Sequence, residues 1–99
     1  MKDNARERSK SVISQTFHLT APEARLVLLA GDFTRWQHAA IPMRRVGDGV
    51  WGATVVLAPG RHAYRLIVDG EWRDDPACRL RVPNPFGSED MIRDIRQAA

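Results

Sequence analysis

An antiparallel β-sandwich of about seven short strands is the fold this sequence predicts. Three observations carry the prediction. Apolar and polar residues alternate with the two-residue period of a strand in several separate segments. Turn signals built from Pro, Gly and Asp divide those segments at regular intervals. No stretch sustains the apolar spacing of an amphipathic helix. Strands with one apolar face need a second sheet to bury it, so two sheets sharing one core are expected. The 99 residues suffice for one such domain and no more.

Residues 1–10, MKDNARERSK, read as a charged, flexible arm, with the domain over 11–99. From Ser11 the pattern becomes strand-like. Val12, Ser14, Thr16 and His18 lie on one side, and Ile13, Gln15, Phe17 and Leu19 on the other, which is the better core face. Ala21-Pro22-Glu23 is a turn. Arg25 to Ala30 is an apolar strand ending at Gly31-Asp32. Val50 to Leu57 follows, with Trp51, Ala53, Val55 and Leu57 on its core face. Ala58-Pro59-Gly60 is a tight turn, and Arg61 to Val68 is the return strand. On it His62, Tyr64, Leu66 and Val68 oppose Arg61, Ala63, Arg65 and Ile67. Asp69-Gly70 is a hairpin signal, since Gly tolerates positive φ, and Glu71-Trp72-Arg73 is the short strand beyond it. Residues 74–90 are loop-rich, with Asp75-Pro76, Pro83-Asn84-Pro85 and Gly87-Ser88 resisting regular structure. Met91 to Arg96 alternates again as a final strand; the alternative, a frayed helix over Met91–Ala99, is short.

Composition excludes several function classes. The 43% hydrophobic and 27% charged fractions are those of a folded domain. A single cysteine, Cys78, forms no internal disulfide, and one Cys with His18, His38 and His62 has no zinc-ligand spacing, so no metal or other cofactor is expected. Cys78 has only Arg79 as a basic neighbour, weak ground for a reactive thiol. No apolar run approaches the roughly 18 residues of a membrane helix, and the polar N-terminus is not a secretory signal. No membrane partner and a cytoplasmic location are expected. The net charge of +3 and pI of about 9.8 suggest nucleic acid. However, Lys2, Arg6, Arg8 and Lys10 against Asp3 and Glu7 leave +2 in the arm, and the signs mix beyond it, without a basic stripe. No nucleic-acid partner is expected.

Catalytic constellations are absent too. Glu71, Asp74 and Asp75 sit beside a hairpin and a proline loop, where turn-forming, solvated carboxylates are the expectation. Gly87-Ser88-Glu89 lacks the glycine-flanked serine elbow, and Gly31, Gly47 and Gly49 do not open a helix as a phosphate loop would. A non-catalytic protein is expected.

The aromatic set is the unusual feature: 3 Trp, 3 Phe and 1 Tyr in a small chain. Trp51 shares the phase of Ala53, Val55 and Leu57 and is assigned to the core. Trp36 follows a strand at a loop, and Trp72 follows a hairpin turn by two residues. Each could cover an open end of the core, or present a flat apolar plane to a sugar ring with a neighbouring polar group for its hydroxyls. The residues alone leave both readings standing.

Longer strings carry a resemblance. They are Val27-Leu28-Leu29-Ala30-Gly31-Asp32-Phe33-Thr34-Arg35-Trp36, then Gly49-Val50-Trp51, then Leu57 to Trp72, then Asp75-Pro76 and Pro83 to Ser88. Over about residues 16–96 the chain resembles the family 48 carbohydrate-binding modules. These include the glycogen-binding domain of the AMP-activated protein kinase β-subunit and modules of glycogen-branching and debranching enzymes. The resemblance implies an immunoglobulin-like sandwich of the early-set type that binds α-glucan (glycogen, starch or malto-oligosaccharide) without catalysis. It places the two platform tryptophans on Trp36 and Trp72, and the basic residue, usually Lys in the kinase subunit, on Arg65. The later loop, with its apolar, hydroxyl and amide groups, falls on Phe86, Ser88 and Asp90. Asp90 departs from the pattern, because a carboxylate accepts hydrogen bonds and does not donate them. A separate glucan-active enzyme or kinase is the further partner the resemblance implies. The alternative is a protein-interaction or regulatory module that keeps the fold without strong sugar binding.

Overall fold

The computed structural model describes residues 12–96, so the arm expected over 1–10 lies outside the described residues. Nine strands follow in order: β1 Ile13–Thr20, β2 Val27–Gly31, β3 Ile41–Pro42, β4 Arg44–Gly47, β5 Val50–Leu57, β6 Gly60–Val68, β7 Glu71–Arg73, β8 Arg81–Pro83 and β9 Glu89–Ile95. One short 3-10 turn, Trp36–Ala39, interrupts them. Every pairing is antiparallel. One sheet has the order β1-β5-β4, and the other β3-β2-β6-β9-β8 with β7 also on β6. The result is the immunoglobulin-like β-sandwich expected.

The predicted faces are the observed ones. Phe17 and Leu19 of β1 and Trp51 and Leu57 of β5 point into the core, against Val27 and Leu29 of β2, Tyr64, Leu66 and Val68 of β6, and Met91 and Ile95 of β9. Phe17 meets Tyr64 edge to face at 4.8 Å between ring centroids, across the two sheets. Each large side chain buried here stabilises the fold by about 1.5 to 3 kcal/mol relative to exposure.

Three expectations are corrected. The strands number nine among the described residues, against about seven expected, because β3, β4 and β8 are two to four residues long and carry no readable alternation. Strand β6 is not the return strand of β5. Strand β5 is already paired on both edges, by β1 and β4, so Ala58-Pro59 carries the chain across to the second sheet. The carboxylates near the hairpin are also unequal. Asp75 is 5% exposed and accepts from the Tyr64 hydroxyl at 2.7 Å and from Ala77 N–H at 3.0 Å. It ties the loop after β7 to the central strand. Burial first, then the hydrogen bond and charge of Asp75, push the Tyr64 hydroxyl pKa well above its ordinary value.

The Asp69-Gly70 hairpin forms as expected, with Val68 opposite Glu71 and φ of 50° and 87° at the two turn residues. The Asp69 carboxylate does more than turn the chain. It accepts from Arg25 N–H and Leu26 N–H, both at 2.9 Å, and so fastens the entry to β2.

Candidate functional site

The outer face of the larger sheet is where the candidate residues converge. Side chains alternate along β6, so with Tyr64, Leu66 and Val68 in the core, Ala63, Arg65 and Ile67 face outward. Cross-strand partners share a face. Trp72 pairs with Ile67 and therefore stands outside, close to Arg65. Met91 pairs with the core residue Tyr64, so Asp90, one residue earlier, also faces outward. Ala30 pairs with Arg65 on the opposite edge, where β2 delivers the chain to Trp36.

The turn that presents Trp36 is built at backbone level. Gly31 is required by space: a Cβ there would lie 2.7 Å from the Ala63 carbonyl oxygen and 2.6 Å from the Phe33 ring. Buried Thr34 then organises the turn. Its hydroxyl oxygen accepts from Gly31 N–H at 2.9 Å and donates to the Trp36 carbonyl at 2.8 Å. Arg35 and Trp36 both take left-handed backbone conformations, with φ of 55° and 57°. Two such residues cost about 1 to 3 kcal/mol each, a strain the surrounding hydrogen bonds must hold in place. The indole is thereby turned out from the strand end, half-buried.

Arg65 joins the two other walls. Its Nη2 donates to Asp74 at 2.9 Å, and its Nη1 to the Ser88 hydroxyl at 3.3 Å. The guanidinium also lies over the Trp72 ring, 5.8 Å from its centroid. The planar fork makes both bonds at once from one rigid group, a geometry that an ammonium does not reproduce. Asp74 in turn accepts from Arg81 Nη1 at 3.3 Å, which anchors the pair to the first residue of β8.

The loop between β8 and β9 is organised by Asn84. Its Oδ1 accepts from Phe86 N–H at 3.0 Å and Ser88 N–H at 3.1 Å. Its Nδ2 donates to Asp90 Oδ1 and to Ser88 Oγ, both at 2.9 Å. This arrangement leaves Phe86 at the tip, 89% exposed.

Together these elements enclose an open concavity of about 720 Å³. Trp36, Arg65, Trp72, Phe86, Ser88 and Asp90 all line it, although they come from three separated stretches of the chain. Trp72 is 43% exposed, so it is not a core lid. Arg35, Gln37, His38, Asn84 and Pro85 also line the concavity and were missed from the sequence. For Asn84 a signal existed. An Asn between two prolines, with a Ser four residues on, is the setting of an Asx turn. For Gln37 and His38 none did, because the 3-10 turn has no periodicity to read. The chemistry on offer is flat apolar surface beside hydrogen-bonding side chains, which suits a neutral, hydroxyl-rich, ring-shaped ligand.

Comparison with known proteins identifies the family. The family model described as the glycogen recognition site of AMP-activated protein kinase matches residues 14–91. The chain is 40% identical over 95 residues to a 1,4-alpha-glucan branching enzyme of Frankia casuarinae, covering 86% of this chain and 11% of that protein. It is 34% identical over 70 residues to the chloroplastic protein FLOURY ENDOSPERM 6 of Oryza sativa subsp. japonica, covering 71% and 13%. It is 30% identical over 71 residues to the 5'-AMP-activated protein kinase subunit beta-1 of Sus scrofa, covering 72% and 55%. The chain thus spans about a tenth of the first two relatives and about half of the third. With its sandwich fold and a family match over most of its length, this chain belongs to the glycogen-recognition family of carbohydrate-binding modules.

Proposed function

We propose that the chain binds α-glucan without catalysing its conversion, with Trp36 and Trp72 as the platform for glucose rings. The observation that carries this reading is the convergence of all six resemblance-derived residues on one open concavity of about 720 Å³. The indole planes stack on the apolar C–H faces of the sugar. Arg65, held by Asp74, keeps the Trp72 plane in place and offers charge to nearby hydroxyls. Ser88 and Asp90 supply oxygens, and exposed Phe86 fills the concave side of the curved glucan.

Each indole contributes on the order of 1 to 3 kcal/mol. The dissociation constant for a short glucan is therefore expected between about a micromolar and a millimolar. Titration with maltoheptaose, followed by tryptophan fluorescence, tests the reading. Trp36→Ala and Trp72→Ala should each weaken binding by about tenfold or more. If both variants bind like the parent, the platform is wrong. If the parent shows no response at sugar concentrations of about 10 mM, the protein-interaction reading takes its place. Release of sugar from starch by the pure protein would overturn the non-catalytic part. A separate glucan-active enzyme or kinase is the partner that fits a module of this kind, since the relatives include proteins named as a branching enzyme and a kinase subunit.

A further inference from the structure

We propose that Asn84 is a positioning residue of the glucan site, which orders the loop bearing Phe86 and Ser88 and sets the carboxylate of Asp90 before sugar arrives. The inference rests on the glucan reading above and adds to it a residue that touches the site through others.

The orientation of the Asn84 amide follows from its partners. Two backbone N–H groups, from Phe86 and Ser88, converge on Oδ1, so that atom must be the oxygen. The nitrogen then faces Asp90 Oδ1, an acceptor-only group when ionised. Both ends of the amide are satisfied in this orientation, and in the flipped one both would clash electrostatically. Asn84 N–H further donates to the Ser88 carbonyl at 2.9 Å, which closes the loop from the backbone side. A single half-buried side chain thus holds the tip residue, the hydroxyl residue and the carboxylate in one arrangement.

Two consequences follow for binding. The loop pays little ordering entropy when sugar docks, because its shape is already held. Asp90 Oδ1 is occupied by the Asn84 amide, and Oδ2 has no protein partner among the described residues. Position 90 therefore presents an acceptor to the ligand. A glucose hydroxyl can donate to it as readily as it can accept, so the carboxylate is compatible with sugar provided Asn84 orients it.

A double-mutant cycle on the full 99-residue chain tests this. The four proteins are the parent, Asn84→Asp, Asp90→Asn, and the pair combined. Asn84→Asp keeps the acceptor for Phe86 and Ser88 and sets a carboxylate against Asp90. In the parent background it should weaken maltoheptaose binding by about tenfold, the equivalent of about 1.4 kcal/mol. In the Asp90→Asn background the donor and acceptor are merely exchanged, and the loss should fall below about threefold. Amide hydrogen exchange at Phe86 and Ser88, read without sugar, should speed up in Asn84→Asp and recover in the combined variant. Equal losses in both backgrounds, or parent-like binding and exchange in Asn84→Asp, would overturn the proposal. If Asp90→Asn binds too weakly to titrate, the exchange measurements decide by the same criterion. A parent that binds no maltoheptaose overturns the glucan role, and the exchange cycle then reports separately whether Asn84 orders the loop.

Discussion

Tyr64 shows how one side chain acts in two places at once. Its ring belongs to the core and meets Phe17, while its hydroxyl leaves the core to bond Asp75 in the loop after β7. Removing only that hydroxyl, in Tyr64→Phe, leaves a buried carboxylate short of a donor and should cost about 1 to 3 kcal/mol in urea denaturation. The same site contributes a dependence of stability on alkaline pH. The folded-state pKa of Tyr64 is raised well above its ordinary value of 10.0, first by burial and then by Asp75. The unfolded chain loses this proton first, so the contribution is fully present below about pH 10 and declines as pH rises beyond it. Tyr64→Phe should flatten the fall in melting temperature above pH 10 relative to the parent. An unchanged slope would show that Tyr64 does not govern it. Trp51 illustrates the other extreme. Its indole is 6% exposed, donates from Nε1 to the Ala21 carbonyl at 3.0 Å and packs under the Arg45 guanidinium at 4.9 Å. It is committed to structure, whereas Trp72 is not.

At the scale of elements, the turns carry more than the change of direction. The β6–β7 hairpin reaches back through the Asp69 carboxylate to the N–H groups of Arg25 and Leu26. Those hydrogen bonds hold the Asp69 pKa below its ordinary value of 3.8. A depressed carboxylate pKa contributes stability above about pH 3.8 that is lost as the pH falls below it. Asp69→Asn keeps an acceptor oxygen and suits the left-handed backbone, so it should fold normally and lose part of the parent's acid sensitivity in that range. Melting curves between about pH 2 and pH 5 check this; a variant as acid-sensitive as the parent would rule it out. The turn after β2 works similarly. Gly31 admits the close approach of Ala63, Thr34 pins the backbone, and two left-handed residues aim Trp36 outward.

The whole molecule is held together by pairings distant in sequence. Ile13 of β1 pairs with Leu57 of β5, and Val27 of β2 with Val68 of β6. Arg93 on β9 reaches across to the other sheet, donating to Gln15 Oε1 at 2.8 Å and lying 4.0 Å from the Phe17 ring centroid. With such long-range contacts, folding in milliseconds to seconds is expected, and unfolding should be one cooperative step. The concavity draws on the turn after β2, on β6, β7 and β9, and on the loop between β8 and β9, so a glucan bound there as proposed would be linked to the fold. Maltoheptaose at about 100 times its dissociation constant should stabilise the folded state by about 2.7 kcal/mol, seen as a rise in melting temperature. The rise should vanish in the Trp36→Ala/Trp72→Ala double variant. A rise that persists there would mean that sugar binds elsewhere.

The sequence by itself determined the all-β class, the faces of β1, β5 and β6, the Asp69-Gly70 hairpin and the core role of Trp51. These are local properties: side-chain alternation and turn chemistry are written in neighbouring residues. The six candidate residues were also named from sequence, through the order and spacing of the resemblance, yet their convergence was not. Only the tertiary structure brought 36, 65, 72 and 86–90 to one concavity, since that depends on register between strands far apart in the chain. It alone sent β6 to the second sheet, buried Asp75 beside Tyr64 and placed Asn84 at the centre of its loop. Each of these is decided by which edges and donors are already occupied when the segments meet, and no local pattern records that competition.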